Sequence, residues 1–219
     1  MNKIAKILSA SVVMMLMMLL PSAVTYAGLS DTFNQTINPG TLTASINQAG
    51  DTTPVASPTV AFSAVNYSFQ CQTTTGTLGD SSDLINVTNL ASGINTWNLA
   101  LAATSGTTAT WTNGTNTYAY NNVAGSPAGC TSGDMTVNPS VATKTDDCNG
   151  ACTANASTVS LGTSAPFNGT TTPAVTIISD SAGTPWEGYV TGVSLSQTIP
   201  QLTPSGSYTL PMTLTLSHT

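Results

Sequence analysis

The chain has 219 residues, three lysines, no arginine and nine acidic side chains, with a formal net charge of −6. Nucleic-acid binding needs Lys and Arg to neutralise phosphates, so nucleic acid is excluded as a partner, and the same lack of basic clusters argues against attraction to anionic lipid. Only 5% of residues are charged while 40% are hydrophobic, which is not the composition of a disordered polyelectrolyte. Thr, Ser and Asn supply the polar surface instead, and Thr favours strands through its branched Cβ.

In chain order, Lys3 and Lys6 precede an apolar run from Ile7 to Leu20 that stops at Pro21. Thr25-Tyr26-Ala27 then offers a cleavage site before Gly28. This is the layout of a secretory signal peptide, and the short Met-rich leader has a bacterial look. The run is shorter than the ~20 residues that a membrane-spanning helix requires. The expectation is therefore a leader over 1–27, cut between Ala27 and Gly28, and an exported single domain over 28–219. No stable membrane anchor remains after cleavage, and Lys144 is then the one basic side chain.

Beyond the leader, apolar residues recur with period two between clusters of Gly, Pro, Asn and Asp, the signature of strands and turns. Strands are expected at 41–46, 84–90, 109–112, 116–122, 135–139, 157–161 and 174–179. Over Val60 to Cys71 the apolar parity changes. A bulge near Ala64 would reconcile it and turn Cys71 inward beside Phe69. Trp97, Leu99 and Leu101 share one face of a further strand. Val193, Leu195 and Ile199 share another, interrupted by Gln197. The clearest alternation is the last, with Tyr208, Leu210, Met212, Leu214 and Leu216 on one face, and Pro211 on the other face places this strand at an edge or a bulge.

Many short strands at this spacing make an all-β fold, an antiparallel β-sandwich with the jelly roll as one form of it. The weakly apolar stretch from Cys130 to Phe167 reads as an excursion at one end of the sandwich.

Four cysteines in an exported chain suit two disulfides, and three pairings are open. Cys148 and Cys152 frame a five-residue turn, so local pairing is economical, leaving Cys71 with Cys130. Zinc would require finger-like spacing or histidine help, and His218 is the only histidine.

The inventory for catalysis is thin: one His, one Glu (Glu187) and, after the leader, one Lys. General acid–base chemistry recruits these residue types, and neither a zinc-protease helix nor a phosphate loop is present. The expectation is a protein without catalysis and without a cofactor. Asp80-Ser81-Ser82-Asp83 and Asp146-Asp147 place oxygen ligands in loops, as calcium prefers, but the simpler reading is turn-forming Asp. Trp111, Tyr118 and Tyr120 sit near turns, where aromatic side chains either line a sugar-binding face or enter the core.

Several landmarks together carry a resemblance. They are Gly40-Thr41-Leu42, Pro58-Thr59-Val60-Ala61-Phe62, Trp97-Asn98-Leu99, the stretch Gly183 to Trp186, Val193-Ser194-Leu195 before Pro200, and Gly206-Ser207-Tyr208 before a closing Thr-Leu-Thr-Leu strand. In this order the chain resembles the WxL-domain proteins of bacterial cell surfaces, named for two Trp-x-Leu motifs. Trp97 and Leu99 match the first motif, while Leu214-Thr215-Leu216 stands where the second carries Trp. The resemblance implies non-covalent attachment to peptidoglycan or to other cell-surface proteins. A weaker likeness, over Gly28-Leu29-Ser30-Asp31 through Gly40-Thr41-Leu42-Thr43-Ala44-Ser45-Ile46, is similar to the mature start of camelysin-like biofilm fibre proteins. It implies a jelly-roll fibre subunit that self-assembles by lending the strand around Leu42 and Ile46 to a neighbour.

Overall fold

Alternation of apolar and hydroxyl side chains dominates the residues that the computed structural model describes, namely 35, 40–49, 53–91, 96–122, 130–147 and 157–219. The chain divides into two units, Met1–Ile37 and Asn38–Thr219, and the architecture below is that of the second. Its strands are β1 (Leu42–Asn47), β2 (Gln72–Leu78), β3 (Leu84–Asn89), β4 (Trp97–Ala103), β5 (Thr110–Thr112), β6 (Thr117–Ala119) and β7 (Asp134–Asn138). They continue with β8 (Thr143–Asp146), β9 (Val159–Leu161), β10 (Ala165–Pro166), β11 (Ala174–Asp180), β12 (Trp186–Thr191), β13 (Val193–Ile199) and β14 (Met212–His218). Two single 3-10 turns, Gly106–Thr108 and Pro139–Val141, are the helical elements among the described residues.

The strands pair antiparallel in three four-stranded sheets, ordered β1-β3-β12-β8, β10-β7-β13-β2 and β14-β4-β11-β9, with a β5-β6 ribbon beside them. The first two sheets share a corner. Chain segment β2–β3 passes from the second sheet to the first at Gly79, and β12–β13 returns at Gly192. The Gly192 N–H donates to the Gly79 carbonyl at 2.6 Å. Both glycines have positive φ, +76° and +81°, a conformation that a Cβ disfavours. Two adjacent strands thus bend together, as corner strands of a folded sandwich do.

The third sheet covers the inside of that corner. Trp97, Leu99, Leu101 and Ala103 of β4 point inward, as do Val175, Ile177 and Ile178 of β11. They meet Ile85, Val87, Trp186 and Val190 of the first sheet and Met135, Val137, Val193 and Leu195 of the second. Each large aliphatic chain removed from water here contributes about 1.5–3 kcal/mol. A register shift between Thr176 and Ile178 in β11 explains how Ile177 and Ile178 are both fully buried: a bulge breaks the strict alternation of faces.

The fold is an all-β antiparallel sandwich, as the period-two pattern predicts, and β14 lies at a sheet edge, although Pro211 stands just before the strand instead of within it. Three expectations need correction. The segment from Val60 to Ser68 forms no strand; the strand follows it, over Gln72–Leu78. Cys71 and Phe69 do not turn inward together, since Cys71 is exposed and Phe69 is 72% exposed. The reason is pairing: β2 has a full seven-residue register with β13, whereas 60–70 touches β2 through only a few bonds, such as Ser63 N–H to the Thr75 carbonyl at 2.9 Å.

Gly76 permits that approach, because a Cβ there would meet Val60 at 3.0 Å and the Ala61 carbonyl at 3.2 Å. Lastly, Cys130 to Phe167 is not an excursion. It supplies β7, β8, β9 and β10, with Met135, Val137, Val159 and Phe167 in the core.

Candidate functional site

The residues singled out in the sequence separate into several places. Cys71 and Cys130 form a disulfide, with Cα atoms 5.6 Å apart. Cys148, Cys152, Ala27 and Gly28 lie outside the described residues. Trp97 and Leu99 are core residues, 2% and 1% exposed. The Trp97 ring stacks on Trp186 with centroids 6.0 Å apart, and Trp186 donates its Nε1–H to Asp146 Oδ1 at 2.7 Å. Leu214 and Leu216 lie on the neighbouring strand, opposite Leu101 and Leu99 in the ladder. Both Trp-x-Leu-like motifs are therefore side by side in one sheet.

Of the two acidic pairs, only Asp80 to Asp83 forms a turn; Asp146, expected in a loop, ends strand β8 because it pairs with Gly188 of β12. Asp80 Oδ1 accepts the backbone N–H groups of Ser82 at 2.6 Å and Asp83 at 3.0 Å, an Asx-type turn. Among the described residues, no group of three or more His, Cys, Asp and Glu is placed to hold a metal ion. Glu187 is half-buried opposite Thr88, and His218 is exposed opposite Trp97. Neither lines the two cavities described next.

The larger cavity, about 700 Å³, is a seam beside β14. Leu210, Met212, Leu214 and Leu216 line it together with Val60 and Phe62 and with Ala44 and Ile46 of β1. These residues are all half-buried, in contrast to Leu99 and Leu101 one strand further in. Because β14 ends its sheet, its outer edge is unpaired by any described strand. An apolar row next to an unpaired edge is a surface on which an extended segment can add as a strand.

The smaller cavity, about 440 Å³, is a cleft between segment 60–68 and the connection from β13 to β14. Its side holds a chain of rings. Phe62 meets Trp111 edge-on at 5.4 Å, Trp111 lies nearly parallel to Tyr118 at 6.2 Å, and Tyr118 meets Tyr208 at 5.2 Å. Gln197 was legible as an interruption of an apolar face, and its function is now visible. It is 0% exposed and accepts the Trp111 Nε1–H at 2.8 Å, while its own amide donates to the Thr198 carbonyl at 2.7 Å.

A buried amide is costly without such partners, so Gln197 is tied to one orientation and ties the indole with it. Tyr208 is anchored by its hydroxyl to the Pro204 carbonyl at 2.9 Å. Burial raises the Tyr118 hydroxyl pKa well above the ordinary tyrosine value, with the nearby Tyr208 adding to it. Burial also raises those of Tyr208 and Tyr120.

Of the three aromatics noted near turns, Trp111 and Tyr118 are half-buried at this cleft, while Tyr120 is fully buried against Phe167. Phe62, Gln197 and Tyr208 join the cluster from distant parts of the chain; Phe62 and Tyr208 stood out in the sequence only as apolar positions, and Gln197 as an interruption of an apolar face. Comparison of the chain with protein-family models, with curated proteins and with solved structures finds no match.

Proposed function

We propose that this chain is an exported, non-catalytic binding module of the bacterial cell surface, which attaches to the cell wall or to another envelope protein without turning it over. The observation that carries this reading is the seam along β14, where half-buried Leu214 and Leu216 lie next to a strand edge that no described strand pairs. Such an edge offers backbone hydrogen bonds to an incoming segment, and the apolar row offers pockets for alternate side chains. The test is co-sedimentation of the purified protein with isolated cell walls and their associated proteins. Leu214→Lys, which places a charge in the seam, is expected to abolish retention. Equal retention of the wild type and Leu214→Lys would remove the seam from the reading.

A second reading, a structural subunit of an extracellular fibre or surface layer, draws on the same edge. Leu42 and Ile46, expected as the donated strand, are paired with Asn89 and Ile85 in the chain's own sheet. A donated segment would therefore come from residues before Leu42. Electron microscopy of the same sample separates the two: filaments lost on deletion of residues 28–39 favour the fibre, and wall binding without filaments favours the module.

A further inference from the structure

We propose that the aromatic cleft between segment 60–68 and the β13–β14 connection is a second binding site, and that its ligand is a neutral oligosaccharide. The inference goes beyond the seam of the proposed function: Val60, Phe62, Trp111 and Tyr208 line both cavities, whereas Tyr67, Gln72, Tyr118 and Ser205 line the cleft and not the seam.

Three features argue for it. The first is the lining chemistry. Trp111, Tyr118, Tyr208 and Tyr67 bring ring surface, while Gln72, Thr74, Ser205 and Ser207 bring amides and hydroxyls, and no charged side chain lines the cleft. A pyranose presents the matching pattern, apolar C–H faces bordered by hydroxyls that both donate and accept. Hydroxyl and amide side chains likewise do both, and aromatic rings offer a rigid apolar body with a polar tip. A charged ligand would lose its water without gaining a counter-charge.

The second feature is preorganisation. Trp111 donates its indole N–H to Gln197, meets Phe62 edge-on and stacks nearly parallel to Tyr118. Tyr208 is tied to Pro204. Rings already ordered lose little freedom on binding, and this is where a shallow polar site gains its affinity.

The third is the backbone adjoining the cleft. Cys130 and Leu202 are the two non-glycine residues of positive φ among those described, at 48° and 61°. They sit together: the Cys130 carbonyl accepts the Gln201 N–H at 3.1 Å, and Ser68 accepts the Leu202 N–H at 2.9 Å. The Cys71–Cys130 disulfide pins the same place. Backbone held in an uncommon conformation persists only where its surroundings over-determine it, and here it adjoins Ser68, Pro200 and Thr203, which line the cleft with Tyr67, itself 56% exposed. The volume, about 440 Å³, falls within the range of small-molecule sites.

The test is a titration of the full exported protein with chitotetraose, cellotetraose, polygalacturonate and a proline-rich decapeptide, read by tryptophan fluorescence and calorimetry. Trp97 and Trp186 are buried, so Trp111 is the indole that reports. Saturable binding of one or both neutral tetrasaccharides at about 1 mM or below is expected. Preference for chitotetraose would assign the acetamido sugars of a cell wall, and preference for cellotetraose an unsubstituted glucan.

Trp111→Phe should lose the fluorescence signal. Tyr67→Ala and Gln72→Ala, neither of which lines the seam, should each weaken binding by about threefold to tenfold with the melting temperature unchanged. Leu214→Lys should leave sugar binding intact, so failure of this site and failure of the seam are told apart. Absence of saturable sugar binding, binding of polygalacturonate or of the decapeptide alone, or full affinity in both Tyr67→Ala and Gln72→Ala would overturn the proposal.

Discussion

Two tryptophan clusters of similar geometry have opposite fates in this molecule. Trp97 and Trp186 stack at 6.0 Å and are 2% and 1% exposed, whereas Trp111 and Tyr118 lie at 6.2 Å and stay half-buried. The rings are alike; the strands beneath them are not. Trp97 sits on β4, flanked by β14 and β11, and Trp186 on β12, flanked by β3 and β8. An interior strand has neighbours on both edges and an opposing sheet over one face, so its inward rings are sealed. Trp111 belongs to β5, which pairs with β6 in a two-stranded ribbon and meets the segment before β14 only through the Thr112–Thr209 bridge among the described residues, and a ribbon has too few neighbours to seal its rings. The difference teaches that sheet position, not side-chain type, divides structural from available aromatic surface here.

The largest effect should come from the sealed pair. Trp97→Ala is expected to cost about 3–5 kcal/mol of folding stability, the transfer and cavity terms of a large core deletion. Trp111→Ala should cost about half that, because its ring keeps solvent contact. Urea unfolding of both variants measures the gap, and equal losses would break the comparison. Next comes the disulfide. Cys71 and Cys130 are 59 residues apart in sequence, and replacing both by Ser should lower stability by about 2–4 kcal/mol through a less restricted unfolded chain. Near-ultraviolet circular dichroism should retain the Trp97–Trp186 signal in that variant while the bands of the cleft aromatics weaken.

A smaller effect is expected at the seam. Leu214→Lys should cost about 1 kcal/mol or less, since a long aliphatic stem can cover apolar surface while its amine reaches water. The same substitution should nonetheless remove wall retention, so stability and function would separate at β14 as they cannot at β4.

The smallest effect at neutral pH lies in the tyrosines. Folding raises the hydroxyl pKa of Tyr118, first by burial and then by Tyr208, and burial raises those of Tyr120 and Tyr208. The unfolded chain releases these protons first, so stability is complete below the ordinary tyrosine value of 10.0 and falls as pH rises beyond it. Thermal melts across the alkaline range should decline more steeply for the wild type than for Tyr118→Phe, and parallel declines would remove Tyr118 from the argument.

Much of the fold was legible because strands covering a core alternate with period two. Trp97–Ala103 and Val193–Ile199 showed it and formed where the pattern placed them, while the last alternation, read from Tyr208, forms its strand only from Met212 to His218. The strand Gln72–Leu78 carries almost no apolar signal: it is Gln-Thr-Thr-Thr-Gly-Thr-Leu, stabilised by its ladder with β13. β8, Thr-Lys-Thr-Asp, was silent for the same reason and exists because β12 pairs with it. The Val60–Phe69 run misled in the other direction: it is apolar enough for a strand, but β2 takes the ladder with β13, and the run lines the two cavities instead. Of the cleft, Trp111 and Tyr118 were visible as aromatics near turns. Their convergence with Phe62, Gln197 and Tyr208 spans most of the domain and leaves no local pattern.

The sequence by itself determined the class of the molecule. A chain poor in ionic side chains, with hydroxyl groups for its polar surface and alternating apolar positions, folds as antiparallel sheet around one core. Local chemistry suffices for that, since strand propensity and face alternation are set residue by residue. Tertiary structure alone decided which edge stayed open, which aromatic ring was sealed and why Gln197 is buried. Those outcomes depend on which strands became neighbours, and neighbours are chosen by contacts between residues far apart in the chain.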